Sequence, residues 1–344
     1  MTVSFSAPIA IGGTAMGLLL DLQASPSAPF SGLCSQSLKG TIAVTPTFKL
    51  TPVHYSAAPT DSTNGEVAGL IGLVANVNPA QGKLTIQPAQ DNNVSQAGNW
   101  QITFNGNTLY QGVSGSSQLQ AGTLVDFDGA LQADGSVAAS RIEVLDDNPS
   151  QLNAVVGPLF VQYTNQTWIE GLAGQWWGAN VYRPTDDYDL THATYRISGA
   201  LPNLNAMPFT PVFDPNTVVD GQNVLVTEHV QSLNGSTTLP GATVTLMPQT
   251  VNGTVRAVST DGGFSIYTVD LANYDLFPNL AVQPGQSTRL TLPGSITVYA
   301  DANTRFPDGN SIGAGQVYRF TGLIFDDGGA LRMDCSQVRS GVAE

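Results

Sequence analysis

Apolar and polar residues alternate in short runs along most of this chain, and Gly, Pro, Asn or Asp closes almost every run. Period-two alternation bounded by turn residues predicts β-strands. Ahead of residue 56, the runs Val3–Phe5, Met16–Leu22, Gly40–Val44 and Thr47–Val53 read as strands. Ala57–Gly65 is small, polar and Pro-containing, which makes it a linker. Beyond it the pattern repeats. Gly69-Leu-Ile-Gly-Leu-Val, Asn153-Ala-Val-Val-Gly-Pro-Leu-Phe-Val and Val251-Asn-Gly-Thr-Val each open a unit, followed by second strands at Lys83–Gln87, Gln166–Glu170 and Gly263–Val269. Later β-runs end in polar turns at Trp100–Tyr110, Ala193–Leu201 and Gly294–Phe306, and each is followed by a Gly-containing turn and a strand. The first and last units close on Asp134-Gly135 and Asp327-Gly328, pairs suited to tight hairpins because both positions tolerate positive φ.

A spacing of about 90–100 residues is too long for a solenoid repeat and suits a small closed barrel, which leaves no sheet edge exposed. The expected fold is all-β: three tandem small barrel, OB-like modules preceded by a short β-sandwich-like N-terminal segment. The expected boundaries are an N-terminal β segment at 1–56, the linker at 57–65, and modules at 66–148, 149–250 and 251–344. The middle module carries an aromatic-rich insertion.

Composition adds to this picture. Charged residues make up only 11% of the chain, against 42% hydrophobic, so the low-hydrophobicity, high-charge signature of disorder is missing. Lys occurs only as Lys39, Lys49 and Lys83, and surface polarity falls to Thr, Ser, Asn, Gln and Asp. Thr and Val favour a pleated surface, whereas the scarce Lys and Glu are helix formers. The net charge of -14 with no basic cluster makes nucleic acid and anionic lipid poor partners, and no apolar run is long enough for a membrane span. The first basic residue is Lys39, so the short apolar stretch Ala15–Leu20 lacks the basic flank of a signal peptide and the chain reads as starting at a mature end.

Candidate chemistry is sparse. His54, His192 and His229 lie in separate segments with no strained nucleophile elbow, so they read as surface or packed histidines rather than triad members. Asp126 and Asp128 flank Phe127 on one strand face and are the best candidates for a paired-carboxylate groove of the kind glycan hydrolysis uses; most other acids sit in turn contexts. Calcium is the metal that loop oxygens of this type suit. Asp186, Asp187 and Asp189 form the first candidate cluster, and Asp146, Asp147 and Asn148 the second, against solvated acidic turns as the plainer reading. No other cofactor is indicated. Cys34 and Cys335 fit no metal pattern; they form a disulfide within or between chains, or are two unrelated buried thiols. Trp168, Trp176, Trp177, Tyr182 and Tyr188 crowd one short span. Such a cluster packs between modules, docks on another subunit, or stacks on a sugar beside Asp and Asn.

The Gly-x-[IV] opening strand, the Thr-x-[FY] segment, the Gly-turn strand and the closing Asp-Gly hairpin together resemble a family of exported bacterial β-barrel modules of unknown function. Thr304-Arg305-Phe306 and Gly315–Gly322 carry the likeness best, Glu66–Val144 well, and the middle unit weakly because of its insertion around Trp176–Asp189. Residues 1–55 more loosely resemble part of the β-sandwich found ahead of such modules. The resemblance implies an exported β-protein in small barrels and brings no catalytic residues with it.

The functional expectation is a non-enzymatic extracellular or cell-envelope structural or interaction protein, self-assembling into a homo-oligomer or filament through its N-terminal β segment, with Thr2–Leu22 as a donated or accepting strand region. The alternative is a carbohydrate-binding protein that uses the Trp/Tyr insertion to hold a surface glycan. A glycan hydrolase using Asp pairs ranks third.

Overall fold

The computed structural model describes residues 16–23, 47–54, 66–88, 99–132, 134–150, 152–164, 166–171, 175–178, 187–189, 193–201, 204–229, 238–239, 242–272, 277, 294–306, 309 and 312–340. Near the start, β1 (Met16–Gln23) pairs antiparallel with β2 (Thr47–His54), Met16 lying opposite His54. Both match the predicted strands. The predicted strands Val3–Phe5 and Gly40–Val44 lie outside the described residues.

Residues 66–146 supply β3 (Glu66–Asn78), β4 (Lys83–Gln87), β5 (Trp100–Thr103), β6 (Leu109–Gln111), β7 (Leu124–Leu131) and β8 (Val137–Asp146). They form a sheet in the order β5-β4-β3-β7-β8-β6, and β5 pairs again, in parallel, with β8. Alternation on β7 sends Val125 and Phe127 into this unit's own core and turns Leu124, Asp126 and Asp128 to the outer face.

The middle of the chain contributes β9 (Leu152–Thr164), β10 (Gln166–Gly171), β11 (Gln175–Gly178), β12 (Asp187–Asp189), β13 (Thr194–Ile197), β14 (Asn223–His229), β15 (Thr238–Leu239) and β16 (Thr243–Leu246). Their order, β13-β16-β14-β9-β10-β12-β15 with β11 on β9, is an open sheet. The last unit has β17 (Gln249–Asp261), β18 (Phe264–Leu271), β19 (Ser295–Arg305), β20 (Val317–Asp327) and β21 (Ala330–Ser340), and its strand order closes on itself.

One device recurs in all three units. The opening strand exchanges two backbone hydrogen bonds with a glycine turn: Val74 with Thr123 and Gly122, Leu159 with Gln222 and Gly221, Val255 with Gln316 and Gly315. The three glycines adopt φ of +87°, +85° and +82°, which a side chain would oppose. A second device is the [Asp/Asn]-x-Asn-Thr turn at Asn105–Thr108, Asp214–Thr217 and Asp301–Thr304. In each, the Thr hydroxyl accepts from the first backbone N–H, and the first side chain accepts from the Asn N–H. In the first and third units the Thr hydroxyl also donates across to the closing strand, to Ala139 O at 2.9 Å and to Cys335 O at 2.7 Å.

The repeat is therefore real at the level of turns and registers, but the expected architecture is not what forms. In the first and third units the second strand pairs with the strand after it, β4 with β5 and β18 with β19. In the middle unit the edge of β10 is taken by β12, which comes from the insertion, so among the described residues β13 pairs with β16 alone and the ring is open. The units are also not separate bodies. One apolar cluster joins Ile71 and Leu124 to Leu152, Trp177, Leu225 and Met247, and another joins Leu323 and Phe325 of β20 to the middle unit's Val226, Val244 and Leu246. Three tandem OB-like barrels behind a β-sandwich-like segment is corrected to a continuous, solenoid-like all-β stack in which neighbouring layers share their cores. At the N-terminus, the described sheet has two strands rather than the count of a sandwich.

Candidate functional site

The outer faces of β7 and β8 in the first unit and of β20 and β21 in the third border a cleft of about 720 Å³, whose floor is built by the middle unit's Pro158, Gly221, Asn223 and Pro248. Corresponding positions of the two units face it: Asp128 and Thr321, Ser140 and Ser336, Arg141 and Gln337. The correspondence is fixed by geometry. Ser140 Oγ donates to Asp128 O and Ser336 Oγ to Thr321 O, beside matching register shifts at Asp128/Gly129 and Thr321/Gly322.

On the first unit's wall, cross-strand pairing puts Asp126 opposite Glu143 and Asp128 opposite Arg141. The buried Arg141 guanidinium binds three carboxylates: Nη2 to Asp126 at 2.5 Å, Nε to Asp128 at 2.6 Å and Nη1 to Glu143 at 3.1 Å. Glu143 reaches on to the middle unit, accepting from Ser198 Oγ and from the Gly199 N–H, each at 2.8 Å. Gln111 closes the group by donating to Gly199 O. Burial pushes the Asp126 carboxyl up to about 7, against the pull of Arg141 and with help from Asp128 and Glu143. Burial also opposes the charge on Arg141, but Asp126 and Asp128 outweigh it and hold the guanidinium above its usual range. The network is a fixed latch between two units.

The third unit's wall is chemically different. Asp334 is 4% exposed, and its Oδ2 has no hydrogen-bond partner among the described residues. Burial, and then neighbouring Asp301, push its carboxyl up to about 7. Asp301 accepts from the Asn303 N–H and Nδ2, and Asn303 and Arg305 line the same cleft. Cys335 turns inward and is a buried free thiol, donating to Gln337 O at 3.3 Å, with its pKa raised by burial; Cys34 lies outside the described residues.

Of the residues predicted to matter, Asp126 and Asp128 do share the cleft wall, but Arg141 holds both. Trp177 is 1% exposed inside the cluster joining the first and middle units, so it packs between units and offers no face to a sugar. Trp168 and Tyr188 sit opposite Asp189 and Ile169 across β10 and β12, where Asp187 pairs with Glu170; these strands are described by their backbone alone, as is Trp176 on β11. Tyr182, Asp186 and His192 lie outside the described residues. The second calcium candidate is already engaged: Asp146 caps the Asn148 N–H at 2.9 Å and meets His229 Nε2 at 3.1 Å, while His229 Nδ1 meets Ser150 O. Among the described residues, no three His, Cys, Asp or Glu converge to hold a metal. Sequence reasoning missed Arg141, Glu143, Asp301 and Asp334. The available signal was the charge at alternate positions of β8, Arg141 and Glu143, facing the Asp126 and Asp128 alternation of β7.

A family model described as a domain of unknown function (DUF5666) matches residues 72–143, the greater part of the first unit. No curated protein matches the chain. Among the described residues, no helix is long and apolar enough to cross a membrane.

Proposed function

We propose that this chain is a non-enzymatic, exported structural or interaction protein that assembles with copies of itself through its N-terminal β segment. The observation that carries the reading is the β1–β2 sheet, which has eight paired positions and two strands among the described residues. A two-stranded sheet is marginal in water and gains most from an added strand. The scarcity of Lys and Glu supports an exported, Thr- and Asn-surfaced protein. The latch fits a structural role, since Arg141 ties down the two carboxylates best placed for acid–base work.

Light scattering across a wide concentration range tests it. The full chain is expected to form dimers or longer assemblies, and a chain beginning at residue 57 to stay monomeric. A full chain that stays monomeric throughout overturns the reading.

A second reading, binding of a surface glycan, is favoured by the cleft, whose walls of carboxylates, amides and hydroxyls suit a hydroxyl-rich ligand. A glycan array comparing the protein with Ser336→Ala and Gln337→Ala variants tests that reading.

A further inference from the structure

The first and third units amount to an internal control. A Cβ placed on Gly129 would meet Ala138 O at 2.3 Å, and one placed on Gly322 would meet Asp334 O at 2.0 Å, so Ala138 and Asp334 occupy the same place in the two units. The Asn/Asp-led turn and its Thr hydroxyl bond to the closing strand are likewise common to both. The first unit builds all of this with Asn105 in the turn and Ala138 on the strand. The third carries Asp301 and Asp334 at those two positions. The Asp334 carboxylate is not needed for the backbone it sits on, whereas Asp301 caps its turn as Asn105 and Asp214 cap theirs.

Their placement points to a ligand. The parallel register sets Tyr299 opposite Asp334 and Ala300 opposite Cys335 before it shifts, and Asp301, two residues beyond Tyr299, follows it on the same strand face as a diagonal neighbour of Asp334. Both line the cleft together with Asn303. Asp334 is almost wholly buried on that wall with Oδ2 unpartnered among the described residues, an arrangement that costs stability unless something occupies the site. Asp301 already accepts from Asn303 through both oxygens, but a carboxylate has further lone pairs for a ligand. Two close carboxylates and an amide, all hard oxygen donors at the wall of a water-accessible cleft, suit a cation that fills its remaining positions with water.

We propose that Asp301 and Asp334, with Asn303, form a binding site for a hard divalent cation of the calcium class on the third unit's wall of the cleft. The site is distinct from the acidic clusters at Asp186–Asp189 and Asp146–Asn148, and it stands apart from the assembly reading. Two carboxylates predict modest affinity, of the order of 10⁻⁴–10⁻³ M as in extracellular modules.

The test is calorimetric titration of the EDTA-treated full chain with CaCl₂, repeated with MgCl₂, alongside thermal unfolding in EDTA and in 10 mM CaCl₂. The expected result is saturable calcium binding and a melting temperature higher by about 2–4 °C in calcium. Asp334→Asn and Asp301→Asn should each weaken binding at least about tenfold, whereas Asp187→Asn/Asp189→Asn should leave it unchanged. In EDTA, Asp334→Asn should melt above the parent, because a buried charge has gone; Asp334→Ala, the residue the first unit carries there, checks that the backbone still folds. No calcium-dependent heat or melting shift up to 10 mM overturns the proposal, as does Asp334→Asn binding as tightly as the parent. An Asp334→Asn protein melting below the parent in EDTA also overturns it, since the acid would then be structural.

Discussion

The first and third units share a backbone grammar and differ in what they do with it. Both hold the opening strand against a positive-φ glycine, both pin an Asn-Thr turn to the closing strand, and both squeeze a side-chain-free residue against a neighbouring carbonyl. Phe127 and Phe320, at matching positions, fill the two cores. On the outer wall the likeness ends. Asp126, Asp128 and Arg141 of the first unit are matched by Arg319, Thr321 and Gln337 in the third, and Ala138 by Asp334. The first unit places its acids around a guanidinium and uses them to grip its neighbour. The third leaves an acid at the cleft without that compensation. Inward positions and turns are held by packing and backbone bonding, so they repeat; outer positions are set by what each unit faces, so they diverge.

Arg141 is where the difference should be largest. Removing it leaves Asp126 and Glu143 buried beside Asp128 with no guanidinium, and breaking a buried ion pair from one side costs about 3–5 kcal/mol. Arg141→Ala should lower the denaturant midpoint accordingly. Gln337→Ala, at the matching position of the third unit, should change stability by less than about 1 kcal/mol. Equal losses in the two variants would mean that the latch contributes no more than the packing of a long side chain.

The same division governs what could be read from the sequence. β4 lies where alternation and turn residues put it, β1, β2 and β10 within a residue of it and β18 within two, because period two and Gly or Asn punctuation are local properties. The Asp-Gly hairpins are present, with Gly135 and Gly328 at φ of +83° and +63°. The open middle sheet was not legible. Whether β10 pairs with β13 or β12 is a competition for one edge, decided by where the insertion folds back, and no local pattern records it. The burial of Asp126 was hidden for a related reason: its strand turns it outward, and the middle unit then covers it. The Trp/Tyr cluster left module packing, subunit docking and sugar stacking open, because aromatic density marks an interface as readily as a ligand site; for Trp177 the interface lies within the chain.

A smaller effect tests the shared backbone. Gly129 and Gly322 both lie where a Cβ would press on a backbone carbonyl that cannot swing away. Gly129→Ala and Gly322→Ala should each cost about 2–3 kcal/mol, as overpacking against fixed atoms does. Gly135→Ala and Gly328→Ala, where the added Cβ meets open space and only positive φ opposes it, should cost about 1 kcal/mol. Urea midpoints for the four variants check the ordering. If the two pairs are interchangeable, the close approach at Gly129 and Gly322 is relieved by local movement and is no common feature of the units.

The last effect concerns pH and returns to the contrast between compensated and uncompensated acids. Asp334 has a carboxyl raised from 3.8 to about 7 in the folded chain, chiefly by burial and then by Asp301. An acid whose folded pKa is raised holds its proton more tightly when folded. It therefore costs nothing below about pH 3.8, and stability falls as pH climbs from there towards 7. Asp126, raised to about 7 by burial against the pull of Arg141, acts in the same direction. In the absence of divalent cations the melting temperature should fall by about 5–9 °C between pH 4.5 and 7.5, and Asp334→Asn should flatten that fall by about half. Asp126→Asn should flatten it by a similar amount, because its carboxyl is raised to about the same value with the pull of Arg141 already counted. A parent protein whose melting temperature rises steadily from pH 4.5 to 7.5, or an Asp334→Asn profile superimposable on the parent, would show that Asp334 ionises in the folded chain as readily as in the unfolded one, and the two walls of the cleft would then not differ in the way their side chains indicate.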